Sequence, residues 1–125
     1  MELLDVVVPR SEIAKFVRAV KGISHRRQVP VIICGHAGDG NVHLNPICVN
    51  MDEGEWNKRL PRLMKEIYRV GISLGGAISG EHGIGLHKKA YFRQETDDAL
   101  LKTMREIKKA FDPNNILNPG KIFDF

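Results

Sequence analysis

The sequence predicts an α+β fold, a ferredoxin-like βαββαβ antiparallel sheet followed by a helical C-terminal extension. Short β-branched runs bounded by turn formers predict the strands, and apolar residues spaced three and four positions apart predict amphipathic helices between them. An Asp-Gly pair between the second and third runs favours a β-hairpin. With 125 residues, 42% of them hydrophobic, the chain (residues 1–125) is expected to form one domain.

The first strand and the first helix are predicted near the N-terminus. The run from Leu3 to Pro9 is short and rich in valine, which favours a strand. Apolar residues recur at helical spacing from Ile13 to Val20, and Ser11 is expected to be the N-cap of this helix. Residues 25–27 are basic and favour a helix C-terminus, because cations stabilise the negative end of the helix dipole.

A hairpin is predicted after this helix. Residues 29–37 are apolar enough for a strand that is buried on both faces. Asp39 and Gly40 favour a two-residue turn, and residues 41–49 are predicted to return as the third strand. Pro46 favours an edge position or a bulge in that strand, because proline has no backbone N–H to donate to a neighbour.

The rest of the chain is predicted to be mainly helical. Residues 53–74 have helical periodicity, and Pro61 is expected to kink this helix or to mark its true start. A short strand at 77–79 leads into a glycine-rich turn, a last helix is predicted over 97–111, and the tail at 112–123 is expected to be an ordered loop. The apolar stripes of the two helices are Trp56, Leu60, Leu63, Met64, Ile67 and Tyr68, and Leu100, Met104, Ile107 and Phe111.

The composition argues against several classes of partner. The net charge is +4, but the basic residues are scattered pairs separated by acidic residues, which favours solvated helix faces over a nucleic-acid site. No apolar stretch approaches the ~20 residues that a membrane span needs, and the N-terminus lacks the pattern of a signal peptide. Two cysteines do not make a disulfide framework, so we expect free thiols and a cytoplasmic location.

The segment GHAGDGNVHLN is the most informative part of the predicted hairpin. With a two-residue turn, His36 lies directly opposite His43, and Asn45 lies on the same face because strand side chains alternate. Two imidazoles held in this way can converge on one metal ion. Exposed strand histidines, or buried ones satisfied by their neighbours, are the alternative, and the hairpin alone does not decide between them.

The segment SGEHGIG places two chemically active side chains between glycines. Glu81 is a candidate third metal ligand, which would complete a site of two histidines and one carboxylate with open positions. His82 is a candidate general base, because imidazole titrates near neutral pH. An ordinary surface turn is the alternative. The glycine spacing does not match a dinucleotide-binding fingerprint.

Three blocks, HAGDGNVHLNP, SGEHGIG and AFDPNNILNPGKIF, resemble the C-terminal region of the FAD-linked oxidase family in their order and spacing. This family includes glycolate oxidase D subunits, D-lactate dehydrogenases and D-2-hydroxyglutarate dehydrogenases. The resemblance implies that His36, His43 and Glu81 bind a divalent metal ion, zinc or manganese. It also implies that His82 removes the hydroxyl proton of the substrate and that Asn45 contacts the substrate.

The activity implied by the resemblance is oxidation of a small 2-hydroxy acid to the 2-oxo acid by hydride transfer to FAD. The domain that binds FAD in such proteins is expected to be absent from this sequence, so we expect a fragment that is inactive without a flavin-binding domain or subunit. Self-association through exposed apolar surface is a further expectation. A metal-dependent hydrolase that uses the same side chains, or a non-catalytic binding module, remains the alternative.

Overall fold

A computed structural model describes residues 4–124 and confirms the predicted α+β class. The described chain divides into two compact units, one ending at His82 and the other beginning at Gly83. The predicted start of the first strand at Leu3 lies outside the described residues. The elements are β1 (Leu4–Val7), α1 (Ile13–Arg27), β2 (Val31–His36), β3 (Asn41–Pro46), α2 (Glu53–Ser73), α3 (Lys89–Glu95) and α4 (Asp98–Phe111).

The first unit contains a three-stranded antiparallel sheet in the order β1-β3-β2. The strand side chains that face the helices are apolar and buried, and they include Val6 and Leu44. An added Cβ at Gly71 of α2 would lie 2.6 Å from Cγ1 of Val6 and 3.7 Å from the ring of Phe16 in α1, so β1 and both helices meet there. Because side chains alternate along a strand, the polar residues of β1 and β3 face the other way.

The positions of the two hairpin strands in the sheet differ from the prediction. β3 lies in the centre and β2 lies at the edge, because β1 pairs with the free side of β3. The side chain of Ile32 is 52% exposed, so β2 is not buried on both faces. Pro46 is tolerated because it is the last residue of β3, where it pairs with Val31 at the end of the ladder.

The boundaries of the long helices were predicted closely, but the N-cap of α1 was not. Ser11 lies in a 3-10 turn (Arg10–Glu12), and α1 begins after it at Ile13. In α2 the side chain of Asp52 accepts a hydrogen bond from the backbone N–H of Glu55 at 2.8 Å, which caps this helix. Pro61 lies inside α2 and does not mark its start.

The predicted fourth strand is reduced to two isolated bridges on the free edge of β1. Val7 pairs with Ala77 in the antiparallel sense, and Asp5 pairs with Ser79. The chain does not continue as a strand, because the backbone N–H groups that follow Ser79 turn toward the carboxylate of Asp5. The sheet therefore ends where the glycine-rich segment begins.

The second unit consists of α3, α4 and the C-terminal loop. The sequence did not predict α3. The side chain of Asp97 caps α4 by accepting from the backbone N–H of Leu100 at 2.8 Å. The predicted stripe of α4 is largely exposed, whereas Leu101 is buried. The tail forms an ordered loop as predicted, and Asp112 accepts hydrogen bonds from the backbone N–H groups of Ile116 and Leu117.

Candidate functional site

The register of the hairpin brings the two predicted histidine ligands to one face, but not directly opposite each other. His36 pairs with Asn41, and His43 pairs with Cys34. The loop between the strands comprises residues 37–40 rather than the predicted two-residue turn. The pairing is therefore shifted by two positions, which leaves both histidines on the face away from the helices.

The two imidazoles converge on the carboxylate of Glu81. The rings of His36 and His43 lie 5.1 Å apart, centroid to centroid, with an angle of 89° between their planes. Nε2 of His43 is 3.1 Å from Oε1 of Glu81, and Nε2 of His36 is 3.5 Å from the same oxygen. Both nitrogens and the oxygen thus point toward one small volume.

A third imidazole borders this volume. The ring of His82 stacks on the ring of His43, with centroids 5.1 Å apart and an interplanar angle of 8°. Nε2 of His82 lies 3.8 Å from Oε1 of Glu81, farther than the nitrogens of the two hairpin histidines. The side chain of His43 is only 13% exposed, whereas those of His36 and Glu81 are more than half exposed. The cluster is therefore closed toward the sheet and open toward solvent.

The spacing of the donor atoms fits a divalent metal ion. Ligand atoms that each lie about 2.0–2.2 Å from one ion are about 3–3.5 Å apart at tetrahedral or octahedral angles. The separations of 3.1 and 3.5 Å between the Glu81 oxygen and the two hairpin nitrogens fall in that range. Two imidazoles and one carboxylate are a donor set that accepts several first-row ions.

Asn45 lies beside this cluster rather than within it. It follows His43 by two residues on β3 and therefore shares its face of the sheet. Its side chain is half-buried, and its Oδ1 atom is buried without a hydrogen-bond partner among the described residues. A buried amide oxygen of this kind favours a polar ligand that supplies the hydrogen bond.

Comparison with known proteins gives the family of the chain. Residues 1–122 match the family described as FAD linked oxidases, C-terminal domain. The chain belongs to this family. The resemblance predicted from the three sequence blocks is thereby confirmed.

Several curated relatives match nearly all of this FAD-linked oxidase domain. Glycolate oxidase subunit GlcD of Bacillus subtilis is 44% identical over 97% of this chain and 26% of its own. D-lactate dehydrogenase of Anaerostipes hadrus is 42% identical over 94% of this chain and 25% of its own. D-2-hydroxyglutarate dehydrogenase of Stutzerimonas stutzeri is 34% identical over 95% of this chain and 26% of its own. The chain spans about a quarter of the length of these relatives.

Sequence reasoning missed one residue of the site, Asp5. Its side chain is fully buried beneath the cluster in this FAD-linked oxidase domain, and it pairs across the strands with His43. Ligand atoms of Asp5, His43, Glu81 and His82 all lie within 4.8 Å of one another. The available signal was one acidic residue inside a valine-rich strand, which is a buried polar group that needs partners.

Proposed function

We propose that this domain binds a divalent metal ion and a small 2-hydroxy acid, and presents the acid to an FAD held by another part of the enzyme. The observation that carries the proposal is the convergence of His36 and His43 on the carboxylate oxygen of Glu81. These side chains would hold the ion. When bound, the metal ion acts as a Lewis acid toward the substrate hydroxyl group, and FAD accepts the hydride.

His82 is the proposed general base. Its imidazole stacks on His43 at the solvent-open side of the cluster and is 35% exposed, so a substrate can reach it. Its Nε2 atom lies farther from Glu81 than the proposed ligand nitrogens do, which leaves that atom available to take the hydroxyl proton. The proton would then be held on the imidazole while the hydride leaves carbon 2.

Asn45 is the proposed substrate contact. Its buried and unpartnered amide oxygen lies on the same face as His43 and can accept a hydrogen bond from the substrate. The named relatives support the substrate class, because glycolate, D-lactate and D-2-hydroxyglutarate are all 2-hydroxy acids. We expect the chain alone to bind such an acid without oxidising it, since the flavin carries the redox chemistry.

Among the described residues, no helix is both long and apolar enough to cross a bilayer. The proposed cellular location rests on the two cysteines instead. Cys34 and Cys48 are exposed and form no disulfide in this part of the chain. Exposed free thiols support the proposal that the domain works in a reducing compartment, the cytoplasm.

Binding of the acid is tested with the manganese-loaded domain. Because Mn²⁺ is paramagnetic, it should broaden the proton signals of D-lactate held beside it, and propionate, which lacks the 2-hydroxyl group, should be affected much less. Asn45→Ala should weaken D-lactate binding about fivefold to tenfold through loss of one hydrogen bond. The exposed amide of Asn57 provides the control, and Asn57→Ala should bind as the wild type does.

Two outcomes would contradict the proposal. Equal broadening of D-lactate and propionate would mean that the 2-hydroxyl group is not recognised. Undiminished broadening in Glu81→Ala would mean that the ion lies elsewhere. Ester hydrolysis by the zinc-loaded domain without any flavin would favour the metal-dependent hydrolase instead.

A further inference from the structure

We propose that Asp5 is a positioning residue that sets both the tautomer of His43 and the conformation of the turn carrying Glu81 and His82. The inference rests on the proposed metal site, and it assigns a role to a residue that does not itself meet the ion or the substrate. Asp5 lies on β1, where its side chain is fully buried. Its two carboxylate oxygens serve different parts of the cluster.

Oδ2 of Asp5 organises the glycine-rich turn. It accepts a hydrogen bond from Oγ of Ser79 at 3.0 Å and from the backbone N–H groups of Gly80, Glu81 and His82 at 2.9, 2.9 and 2.8 Å. Successive N–H groups that point to one centre form a concave anion site, and here a buried carboxylate fills it. The direction in which the side chains of Glu81 and His82 leave the turn is therefore tied to Asp5.

The turn is also fixed from its other side. An added Cβ at Gly80 would lie 2.7 Å from the side-chain amide of Asn41 at the start of β3. The backbone at position 80 is thus held between Asn41 and the carboxylate of Asp5. Little freedom remains for the proposed ligand and the proposed base to change their positions.

Oδ1 of Asp5 faces the imidazole of His43. The distance from Oδ1 to Nδ1 of His43 is 3.7 Å, and among the described residues Nδ1 is buried without a hydrogen-bond partner. This distance exceeds hydrogen-bond length by about 0.5 Å, and in the metal-free domain the carboxylate of Glu81, 3.1 Å from Nε2, competes for the single ring proton. A metal ion held between Nε2 and Glu81 would remove this competition, and the negative charge of Asp5 then favours the proton on Nδ1, as an Nε2 ligand requires.

Asp5 is better placed to orient ligands than to be one. Oδ2 accepts hydrogen bonds from the turn, and Oδ1 faces Nδ1 of His43, whereas a metal ion would be held by Nε2 on the far side of the ring. A carboxylate behind a ligating histidine fixes the orientation of the ring and its tautomer, and loss of such a partner typically lowers metal affinity 10- to 100-fold.

The test is Asp5→Asn, which keeps the shape of the side chain. Its amide oxygen can still accept from the turn, but its NH₂ group then faces Nδ1 of His43, so a proton on Nδ1 is no longer stabilised. We expect zinc affinity to fall at least tenfold while circular dichroism shows a folded domain. The expected signature is in ¹⁵N NMR spectra of the zinc-loaded domain, where His43 should show a metal-bound Nε2 and a protonated Nδ1 in the wild type and lose this pattern in Asp5→Asn.

Asp112→Asn is the matched control, because Asp112 is also buried and also accepts from backbone N–H groups, but in the second unit. It should leave zinc affinity and the His43 tautomer unchanged. A zinc-loaded wild type in which His43 binds zinc through Nδ1 would overturn the inference even if Asp5→Asn fails to fold. Unchanged zinc affinity in a folded Asp5→Asn would also overturn it. Absence of zinc binding by the wild type would instead count against the proposed function.

Discussion

At the scale of single residues, His43 connects the interior of the sheet to the proposed chemistry. Its ring touches those of His36 and His82, and its two nitrogens face carboxylates of Glu81 and Asp5. It lies on the central strand, which is hydrogen-bonded on both sides, so its backbone belongs to the part of the sheet that opens least readily. As a proposed ligand held in this way, His43 would define where an ion binds, and the more exposed His36 and Glu81 would complete the site.

The lowered pKa of Asp112 predicts how the free energy of unfolding depends on pH. The hydrogen bond from Lys108 lowers the pKa of Asp112, burial opposes this, and backbone hydrogen bonds from Leu117 and Ile116 lower it further. A carboxyl group whose pKa is lower in the folded state contributes stability that is present above its unfolded pKa of about 3.9 and is lost as pH falls through the folded value.

The free energy of unfolding should therefore decrease as the pH is lowered below about 5. Asp112→Asn should remove the part of this decrease that belongs to the second unit. Urea denaturation at a series of pH values, followed by a probe in that unit, measures the effect. The same slope against pH in the wild type and the variant would contradict the assignment.

The residues of the site differ in how far the sequence could predict them. The shared face of His36, His43 and Asn45 follows from strand alternation, and it survives the error in register because a shift of two positions preserves the face. The pairing itself depends on the loop conformation, in which Gly40 adopts a φ of 82°. Asp5 could not be found from local pattern, because its partners in the turn lie 74 to 77 positions away.

At the scale of elements, the sequence predicts where strands and long helices lie but not which of them are neighbours. The apolar run that forms β2 predicts a strand that is buried on both faces. Ile32 is exposed instead, because β1 pairs with the other side of β3 and leaves β2 at the edge of the sheet. Residues 77–79 have a composition that favours a strand, but they form only two isolated bridges to β1. The pairing does not extend beyond these residues, because the backbone N–H groups of Gly80 and Glu81 donate to the distant carboxylate of Asp5.

Gly71 carries a prediction about packing between α2 and β1. Gly71→Ala would place a methyl group 2.6 Å from Cγ1 of Val6, well inside contact distance. Overpacking costs about 1–3 kcal/mol, and the better helix propensity of alanine offsets at most about 1 kcal/mol. We expect the free energy of unfolding to fall by up to about 2 kcal/mol in urea denaturation.

Gly22→Ala in α1 is the matched control for this substitution. Its added Cβ would lie 3.6 Å from the guanidinium of Arg26, an ordinary contact, so only the gain in helix propensity should remain. The domain should become slightly more stable. Equal stability changes in the two variants would show that Gly71 is not a close-packing position.

At the scale of the whole molecule, the described chain is a sheet-containing unit that carries the entire candidate site and a helical unit that follows it. The helical unit leaves large apolar side chains exposed, among them Ile107, Phe111 and Ile116. Exposed apolar side chains can associate with another protein surface. Self-association through them stays a prediction. The relatives are about four times as long as this chain. We therefore propose the flavin-dependent activity for a whole enzyme of that length and not for this chain alone.

The central claim is that this chain already contains a metal site, and elemental analysis of the purified chain after metal loading tests it most directly. We expect close to one equivalent of zinc, manganese or iron in the wild type. The same content is expected in His25→Ala, which removes an exposed histidine at the end of α1. His36→Ala and Glu81→Ala should both lose the metal. A wild type that retains no metal after loading, or variants that retain all of it, would contradict the account.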